Sequence, residues 1–314
     1  MNPALPDEAV EFGAAAAKAF AALGGVEAAR RAEEEPDRRR TEVAGALRAL
    51  GIDELEPRGD EASLLAAAAL CAAAGRVALP YPVAGVLLTD GEGRPFAVIP
   101  PGRARVDHGD LFDRWRVSTV AGRAVTATAA TGRPGSRLGP FVTDLSLESG
   151  PPGDAAGDVA LHLSLTSWQV LGTAERAVEL AVQHVGDRVQ FGKPLAAFQA
   201  VQFQLADAAV AVAGLRELAQ FTLWRVRAAG AGARADVLAL RVHAIDVAQA
   251  VLRTSQQLHG AAGVCDEYDI SLLARHVQPA LRLPTSAERT ASDLAAAIER
   301  DGFDGLFPHG QAAR

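Results

Sequence analysis

Residues 188–202 read RVQFGKPLAAFQAVQ and stand between two long segments with a helical pattern of apolar residues. Gly192 and Pro194 interrupt helical structure, because glycine tolerates a left-handed backbone and proline lacks an amide donor. The sequence Phe-Gly-Lys at 191–193 therefore predicts a tight turn that presents amides and side chains to one side. Arg188 lies at the end of the preceding helix, where a guanidinium can bind an anion through two hydrogen bonds.

The segments on both sides of this turn predict a helical bundle. Helical patterns extend over about 159–187, 196–229, 233–259 and 284–300. Patterns longer than about 25 residues that are joined by short loops are typical of an antiparallel four-helix bundle. We therefore expect a C-terminal four-helix bundle over residues 159–314.

Two further regions precede the bundle. Residues 1–85 show helical periodicity with glycine and proline breaks, and they predict an N-terminal helical domain. Residues 86–158 contain short β-prone runs, such as 96–99 and 115–120, that alternate with Gly, Pro and Asp turns. They predict a small antiparallel β domain of about five to seven strands. The expected fold is thus mainly α, with a short β domain between two helical domains.

Composition and charge restrict the class of protein. Hydrophobic residues make up 49% of the 314-residue chain and aromatic residues only 5%, and such an alanine-rich composition favours closely packed helices. The net charge of −7 argues against a nucleic-acid partner. The basic cluster at Arg38, Arg39 and Arg40 stands beside the acidic residues Glu33, Glu34 and Glu35, which is typical of a solvated helix face.

Localisation follows from the apolar and cysteine content. The apolar run at 64–74 is too short to cross a membrane. Cys71 and Cys265 are far apart and indicate neither a disulfide framework nor a metal site. We therefore expect a soluble, cytoplasmic protein without a metal and without a membrane partner.

A second unusual stretch ends the third long segment of the bundle. Residues 257–263 read QLHGAAG, and their small side chains permit close backbone approach to a ligand. With the first stretch, it resembles the acyl-CoA dehydrogenase family, whose bundle carries an Arg-x-x-Phe-Gly-Lys turn, a following Gln and a later Gln-x-x-Gly-Gly-x-Gly turn. The matching residues are Arg188, Gln190, Phe191, Gly192, Lys193, Gln199, Gln257, Gly260 and Gly263, whereas Ala261 replaces the middle glycine.

The resemblance extends over about 165–276 and implies FAD as the cofactor. In the family, these motifs bind the pyrophosphate and adenosine end of an FAD whose isoalloxazine lies in the neighbouring subunit's cleft. A guanidinium, amide side chains and open backbone N–H groups suit that anionic tail. The residues to which the resemblance assigns this contact are Arg188, Gln190, Phe191, Gln199, Gln257, Gly260 and Ala261. The alternative is that Arg188 and Gln257 only cap helices.

The family's catalytic base has no counterpart here. Most members carry a Glu that takes the α-proton of the acyl-CoA, and that position falls on Leu283 or Pro284. Other members carry it earlier in the bundle, at the position of His162. An imidazole can accept a proton near neutral pH, so His162 is the remaining candidate base, although it can equally be a packed helix residue. Trp115, in a β region without the family's flavin-ring loop, is either a ring contact or a packed strand residue.

A hetero-oligomer explains this combination most simply. Shortened actinobacterial members, including some that act on steroid side-chain CoA thioesters, are heterotetramers of two kinds of subunit. The resemblance therefore implies a non-catalytic subunit that binds the FAD tail, with a second acyl-CoA dehydrogenase-like subunit supplying the base for β-oxidation of an acyl-CoA. Two alternatives stay open: a self-sufficient homo-oligomeric dehydrogenase with a relocated base, and a flavin-free structural bundle.

Overall fold

The computed structural model describes residues 4–129, 135–149 and 151–302. Helices occupy both ends of the described chain and a small sheet lies between them. This order confirms the predicted, mainly α fold. Residues 130–134 and 150, which belong to the predicted β region, lie outside the described part.

Five helices precede the sheet: α1 Asp7–Ala22, α2 Glu27–Glu34, α3 Ala44–Ala49, α4 Glu61–Arg76 and α5 Val83–Val86. A π-helical turn, Arg39–Val43, leads into α3. Before α4, the Asp60 carboxylate accepts a hydrogen bond of 2.7 Å from the backbone N–H of Ser63. This cap satisfies one of the donors that the first turn of a helix leaves unpaired, so it fixes where α4 begins.

The sheet consists of β1 Phe96–Val98, β2 Arg105–Asp107, β3 Arg114–Ser118, β4 Arg123–Ala129, β5 Val142–Leu147 and β6 Gly153–Asp154. The strand order is β1-β3-β4-β5-β2, and β6 pairs with β4. Neighbouring strands are antiparallel except for β1 and β3, which run parallel, a correction to the fully antiparallel sheet that was predicted. A parallel pair needs a crossover, and here the chain passes through β2 at the opposite edge.

Trp115 fills the interior beside the sheet. Its side chain is fully buried, and its indole N–H donates to the Gly109 carbonyl at 3.0 Å. The Phe112 ring meets the indole edge-on, with 5.5 Å between ring centroids. The structure therefore confirms the interpretation of Trp115 as a packed strand residue.

Three long helices form most of the bundle: α6 Ala156–Asp187, α7 Gln199–Ala229 and α8 Arg234–His259. Two short helices, α9 Asp269–His276 and α10 Gln278–Arg282, precede the fourth helix of the bundle, α11 Ala287–Asp301. Helix α6 packs against α7 and α8, and α8 packs against α11. The four predicted helical segments are confirmed, whereas α9 and α10 were not predicted. The domain boundaries after residues 85 and 158 stay a prediction.

Helices α4 and α6 cross with their backbones almost in contact. A Cβ atom at Gly75 would overlap the Gln169 carbonyl, and one at Gly172 would overlap the Ala72 carbonyl. The Thr173 hydroxyl links the two helices by donating to the Gly75 carbonyl at 2.9 Å. Only glycine fits at these two positions, so the close helix packing that the alanine-rich composition predicted is confirmed.

The described residues contain no single helix that is both long and apolar enough to cross a membrane. The pair α1 and α2, which is bent by 52°, passes the same test of length and composition when the two helices are taken together. In the same part of the chain, no three or more His, Cys, Asp and Glu side chains are grouped so that they could hold a metal ion.

Candidate functional site

The predicted turn after Arg188 is a two-residue β-hairpin. Strands β7 Val189–Gln190 and β8 Lys193–Pro194 pair across it. Phe191 and Gly192 have positive φ angles of 52° and 77°, as in the type I′ turns that favour tight hairpins. This backbone strains Phe191, because its Cβ crowds the main chain, and the residue is 91% exposed. A strained, exposed aromatic residue at a hairpin tip is typical of a binding surface.

Arg188 directly follows the last turn of α6. Its backbone N–H donates to the His184 carbonyl at 2.9 Å, and its own carbonyl accepts from the Leu195 N–H at 2.8 Å. These two bonds fix the backbone on both sides of the hairpin. The exposed Arg188 side chain makes no hydrogen bond or ion pair with any described residue. Its guanidinium is therefore available to a ligand.

The amide side chains of the predicted site are available in the same way. Gln190, Gln199 and Gln257 are all exposed, and their side-chain amides bond to nothing within the described ranges. Gln199 is the first residue of α7, where the backbone N–H groups of the first helical turn lack partners inside the helix. Three free amides and one free guanidinium thus offer donors for an anionic ligand.

Helix α8 ends in a turn that folds back on the helix. Gly260 has a φ of 62°, which glycine adopts without strain. The Gln256 side-chain amide donates to the Gly263 carbonyl at 3.1 Å, and a Cβ at Gly263 would overlap the Gln256 backbone. Ala261, which replaces a family glycine, is not among the residues with positive φ. Alanine therefore fits this position without strain, and the turn keeps its shape.

An open groove of about 510 Å³ lies between the ends of α6 and α8 and the start of α9. Arg188, which belongs to the first motif, and His259, which belongs to the second motif and precedes Gly260, both line this groove. The remaining lining residues are Leu180, Gln183, His184, Asp187, Glu267, Tyr268, Asp269 and Ile270. The fold therefore brings the two sequence motifs to one groove at one end of the bundle.

An apolar cluster holds this end of the bundle together. Ala181 and Val185 of α6 pack with Leu258 of α8, and Val201 and Leu205 of α7 lie against them. The other predicted site residues are Gln190, Phe191, Gln199, Gln257, Gly260 and Ala261; they do not line the groove and are exposed on the segments that this cluster joins. The cluster explains why segments so far apart in sequence share one surface.

Large apolar side chains are exposed on the same segments. Phe203 and Val210 of α7 are 60% and 72% exposed, and their spacing places them on one face of the helix. Val189 of the hairpin and Val264 after α8 are also more than half exposed. Exposed apolar residues that share a face mark an interaction surface. This part of the bundle has the character of a protein interface.

A second cavity, of about 90 Å³, lies where the N-terminal helices, the sheet and the bundle meet. His162 and Leu283 both line it, and these are positions at which the resembled family carries its base. Neither residue is a carboxylic acid. Ligand pockets usually exceed about 300 Å³, so this cavity does not fit a flavin ring. The residues of this chain therefore fit the tail of FAD but not its isoalloxazine.

His162 is a poor proton acceptor in this setting. Burial and, after it, the positive charge of Arg241 lower its pKa to about 4, although Asp158 acts in the opposite direction. Its Nδ1 atom is buried and has no hydrogen-bond partner among the described residues. The ring meets Phe96 edge-on, at 5.9 Å between centroids. A base works best with a pKa near the working pH, so the structure favours a packing role for His162.

The carboxyl group of Asp107 belongs to the same cavity. Its sequence position, at the end of β2, does not indicate a functional role. Burial raises its pKa to about 7, although Arg39 acts to lower it. About 31% of the side chain is accessible, but Asp107 lines the cavity, and its Oδ1 atom has neither solvent contact nor a partner among the described residues. We regard the carboxyl as buried for this reason.

Arg39 joins the N-terminal helices to the sheet. It is 1% exposed, and it donates to both carboxylate oxygens of Asp110 and, at 3.2 Å, to His108 Nδ1. Its guanidinium lies 4.2 Å from the centre of the Phe141 ring, on which His108 also stacks. Burial, and then the Arg39 charge, hold the pKa of His108 well below its usual range. The prediction of a solvated face is therefore wrong for Arg39, because its partners come from the sheet region.

The comparisons with known proteins agree with these motifs. The profile of the family described as Acyl-CoA dehydrogenase, C-terminal domain, matches residues 164–283. The chain is 24% identical over 279 residues to acyl-CoA dehydrogenase IpdE2 of Mycobacterium tuberculosis, which covers 82% of this chain and 84% of that protein. Relatives with higher identity, 33% and 36%, are matched over only 27% and 28% of their own length.

Solved structures share the fold over nearly the whole chain. The Tcur3481-Tcur3483 steroid ACAD variant aligns with a TM-score of 0.80 at 19% identity, over 94% of this chain and 99% of that one. The ChsE4-ChsE5 complex from Mycobacterium tuberculosis aligns with a TM-score of 0.74 at 18% identity, over 96% and 99%. Residues 164–283 of this chain are therefore similar to the C-terminal domain of the acyl-CoA dehydrogenase family, and the described chain shares the fold of the solved structures.

Proposed function

We propose that this chain is a subunit of an FAD-dependent acyl-CoA dehydrogenase and that it holds the pyrophosphate and adenosine end of FAD at a subunit interface. The observation that carries the proposal is that Arg188, from the first motif, and His259, from the second motif, line one groove. Within the described chain, neither the Arg188 side chain nor the nearby glutamine side-chain amides have hydrogen-bond or ion-pair partners. FAD, when bound, supplies the acceptor for the hydride that leaves the acyl chain.

Each residue contributes a distinct kind of contact. Arg188 donates two hydrogen bonds from one planar group, which matches the oxygens of a phosphate. Gln190, Gln199 and Gln257 donate from neutral amides, which orient the tail without adding charge. The start of α7 adds the backbone N–H groups of Gln199 and Ala200 and the positive end of the helix dipole, whereas the next two N–H groups donate to the Phe198 carbonyl. Phe191 supplies an apolar surface at the interface.

The catalytic base is proposed to come from a second kind of subunit. His162 and Leu283 occupy the family's base positions, and the cavity that they line is about 90 Å³. The exposed apolar side chains of α7 and of the hairpin offer a surface on which a partner can bury hydrophobic area. The names of two similar solved structures, Tcur3481-Tcur3483 and ChsE4-ChsE5, each give two components, which supports a hetero-oligomer here.

The proposed substrate is an acyl-CoA thioester, which is dehydrogenated between its α and β carbons. One similar structure is described as a steroid ACAD, so a steroid side-chain CoA is the first substrate to test. The relatives with 33% and 36% identity are matched over only 27% and 28% of their own length. The identity of the acyl group is therefore also a proposal. The free polar side chains at the groove argue against a flavin-free structural bundle.

A self-sufficient dehydrogenase is the second candidate function, and Asp107 is the observation that favours it. A buried carboxyl with a pKa near 7 has the proton affinity that a general base needs at neutral pH. It also lines the cavity that contains both family base positions. The small volume of this cavity weighs against the candidate, because substrate and flavin ring would both have to enter it.

The test is acyl-CoA-dependent reduction of an artificial electron acceptor. The chain is purified alone and after co-expression with acyl-CoA dehydrogenase-like proteins, and both preparations are assayed with the same substrates. We expect turnover only from the mixed assembly, and the His162→Ala variant should keep it. Turnover by the chain alone would contradict the proposal, and its loss in Asp107→Asn would then assign the base to Asp107.

A further inference from the structure

Two histidines face each other in the wall of the groove that Arg188 lines. The rings of His184, on α6, and His259, at the end of α8, are stacked with 4.3 Å between centroids and 23° between planes. Both residues line the groove. His184 lies in the last turn of α6, and Arg188 directly follows this helix. The FAD role proposed above does not require this pair.

His259 can gain a proton without losing the bond that it makes. Its Nδ1 atom lies 2.7 Å from the Ser255 carbonyl oxygen, and because a carbonyl only accepts, Nδ1 carries the hydrogen. Nε2 is therefore the atom that can take up a proton. The His184 ring stacks on His259, and its nitrogen atoms make no hydrogen bond or ion pair with a described residue. Either imidazole can be protonated in place.

The charged groups around the pair leave a net negative charge. Asp187 ends α6 and Arg188 follows it, Glu267 lies in the loop before α9, and Asp269 forms an ion pair of 3.4 Å with Arg30 of α2. The groove lining therefore carries three carboxylates and one guanidinium. Arg30 offsets this excess only in part, because its guanidinium also pairs with Glu27 at 2.9 Å. One proton on the histidine pair reduces the net negative charge, so the pair sets how strongly the groove repels an anion.

The free groove favours a neutral His184. Burial, then His259 and Arg188, lower the pKa of His184, and only Asp187 raises it. Two protonated rings at this separation would also repel each other. A bound anion changes this balance, because its negative charge stabilises an imidazolium beside it. Since the two equilibria are linked, the anion raises the affinity for the proton by the same factor as the proton raises the affinity for the anion.

We infer that the His184–His259 pair takes up a proton together with the anionic tail of the cofactor, so that the groove binds a pyrophosphate group more tightly as the pH falls. The inference rests on the proposed FAD role of the groove and adds its regulation by pH. Arg188 supplies a charge that does not change with pH, and the histidine pair supplies one that does.

The experiment is titration calorimetry on the purified assembly that contains the full chain, after its FAD has been quantified and removed so that the probes can enter the groove. The probes are ADP, which carries the adenosine and pyrophosphate groups of the FAD tail, and inorganic pyrophosphate, which lacks the nucleoside. Titrations between about pH 5.5 and about pH 8 cover the range in which imidazoles change charge. Two buffers of different ionisation enthalpy give the number of protons taken up. We expect both probes to take up a proton and to bind up to about tenfold more weakly per pH unit.

Three variants separate the inference from a general effect on binding. His184→Gln should bind both probes with little change at high pH and lose most of the dependence on pH. His243→Gln, a change at a half-buried histidine of α8 that does not line the groove, should keep the wild-type pH profile. Arg188→Ala should weaken both probes at every pH and leave the pH dependence in place.

The outcomes also separate this inference from the FAD role. Affinity that does not change with pH, or no binding of either probe at the lowest pH, would overturn the inference, and an assembly that still holds FAD through Arg188 would leave the FAD role standing. Proton-linked binding that survives in His184→Gln would equally overturn it. Proton-linked probe binding in an assembly without FAD would support the histidine pair as an anion site and count against the FAD role.

Discussion

Replacing Arg188 by alanine should weaken FAD binding without weakening the fold. The side chain is exposed and unpaired among the described residues, so its removal leaves no buried charge behind. We therefore expect the free energy of unfolding to change by less than about 0.5 kcal/mol. A charge-assisted hydrogen bond to a phosphate contributes about 1.5–3 kcal/mol. At about 1.4 kcal/mol per factor of ten, the dissociation constant of FAD should rise roughly ten- to a hundredfold.

The assay is an FAD titration of the assembled protein for the wild type and the variants. Arg188→Lys should recover part of the affinity, because the charge remains while the two-pronged donor is lost. Excess FAD should restore turnover, since the base is proposed to lie in the other subunit. Arg123→Ala is the matched control, at an exposed arginine of β4 that lies outside the groove and has no partner among the described residues. Unchanged FAD affinity in Arg188→Ala would refute the reasoning and leave this arginine as a helix cap.

Three further substitutions test separate parts of the structure. Burial keeps the Asp107 carboxyl protonated in the folded chain up to about pH 7, whereas the same carboxyl ionises near pH 3.8 in the unfolded chain. The contribution of this carboxyl to stability is therefore present at low pH and is lost as the pH rises towards 7. Asp107→Asn should flatten the decline of the melting temperature between about pH 4 and about pH 7, and an unchanged profile would contradict a buried, neutral carboxyl. Gly172→Ala should lower the free energy of unfolding, measured with denaturant, by about 3 kcal/mol, because the new Cβ would overlap the Ala72 backbone. Gly186→Ala, in open space on the same helix, should leave this free energy unchanged or raise it by up to about 1 kcal/mol. Equal effects of the two substitutions would disprove the close crossing. Phe191→Gly should relieve the strained turn and leave the melting temperature unchanged or higher while FAD retention falls, and normal retention would exclude this ring from the interface.

The long helices and the hairpin were predictable because their signals are local. The apolar periodicity of α6, α7 and α8 depends on residues three and four apart, and it identifies a helix without knowledge of the partner. The hairpin turn follows from Gly192 and Pro194, which exclude a continuous helix through this stretch. The parallel pairing of β1 and β3 was not predictable in this way, because it depends on the path of the chain through β2.

Contacts between distant regions account for what the sequence did not reveal. Arg39 stands in a run of charges and has the pattern of a surface residue, yet its partner Asp110 lies 71 residues away and buries it. Asp107 is one of many acidic residues, and only the cavity beside it changes its chemistry. The motif residues of the groove were found through the family resemblance, whereas the stacking of His184 on His259 joins two helices and has no sequence spacing of its own.

Native mass spectrometry, with the flavin quantified by absorbance, tests most directly whether this chain completes a flavin site that it shares with a second kind of subunit. The chain should be analysed alone and after co-expression with acyl-CoA dehydrogenase-like partners. We expect the chain alone to carry no FAD, because its own cavity does not fit the flavin ring, and the mixed assembly to carry FAD that depends on Arg188. A homo-oligomer of this chain with one FAD bound per subunit would contradict the proposal.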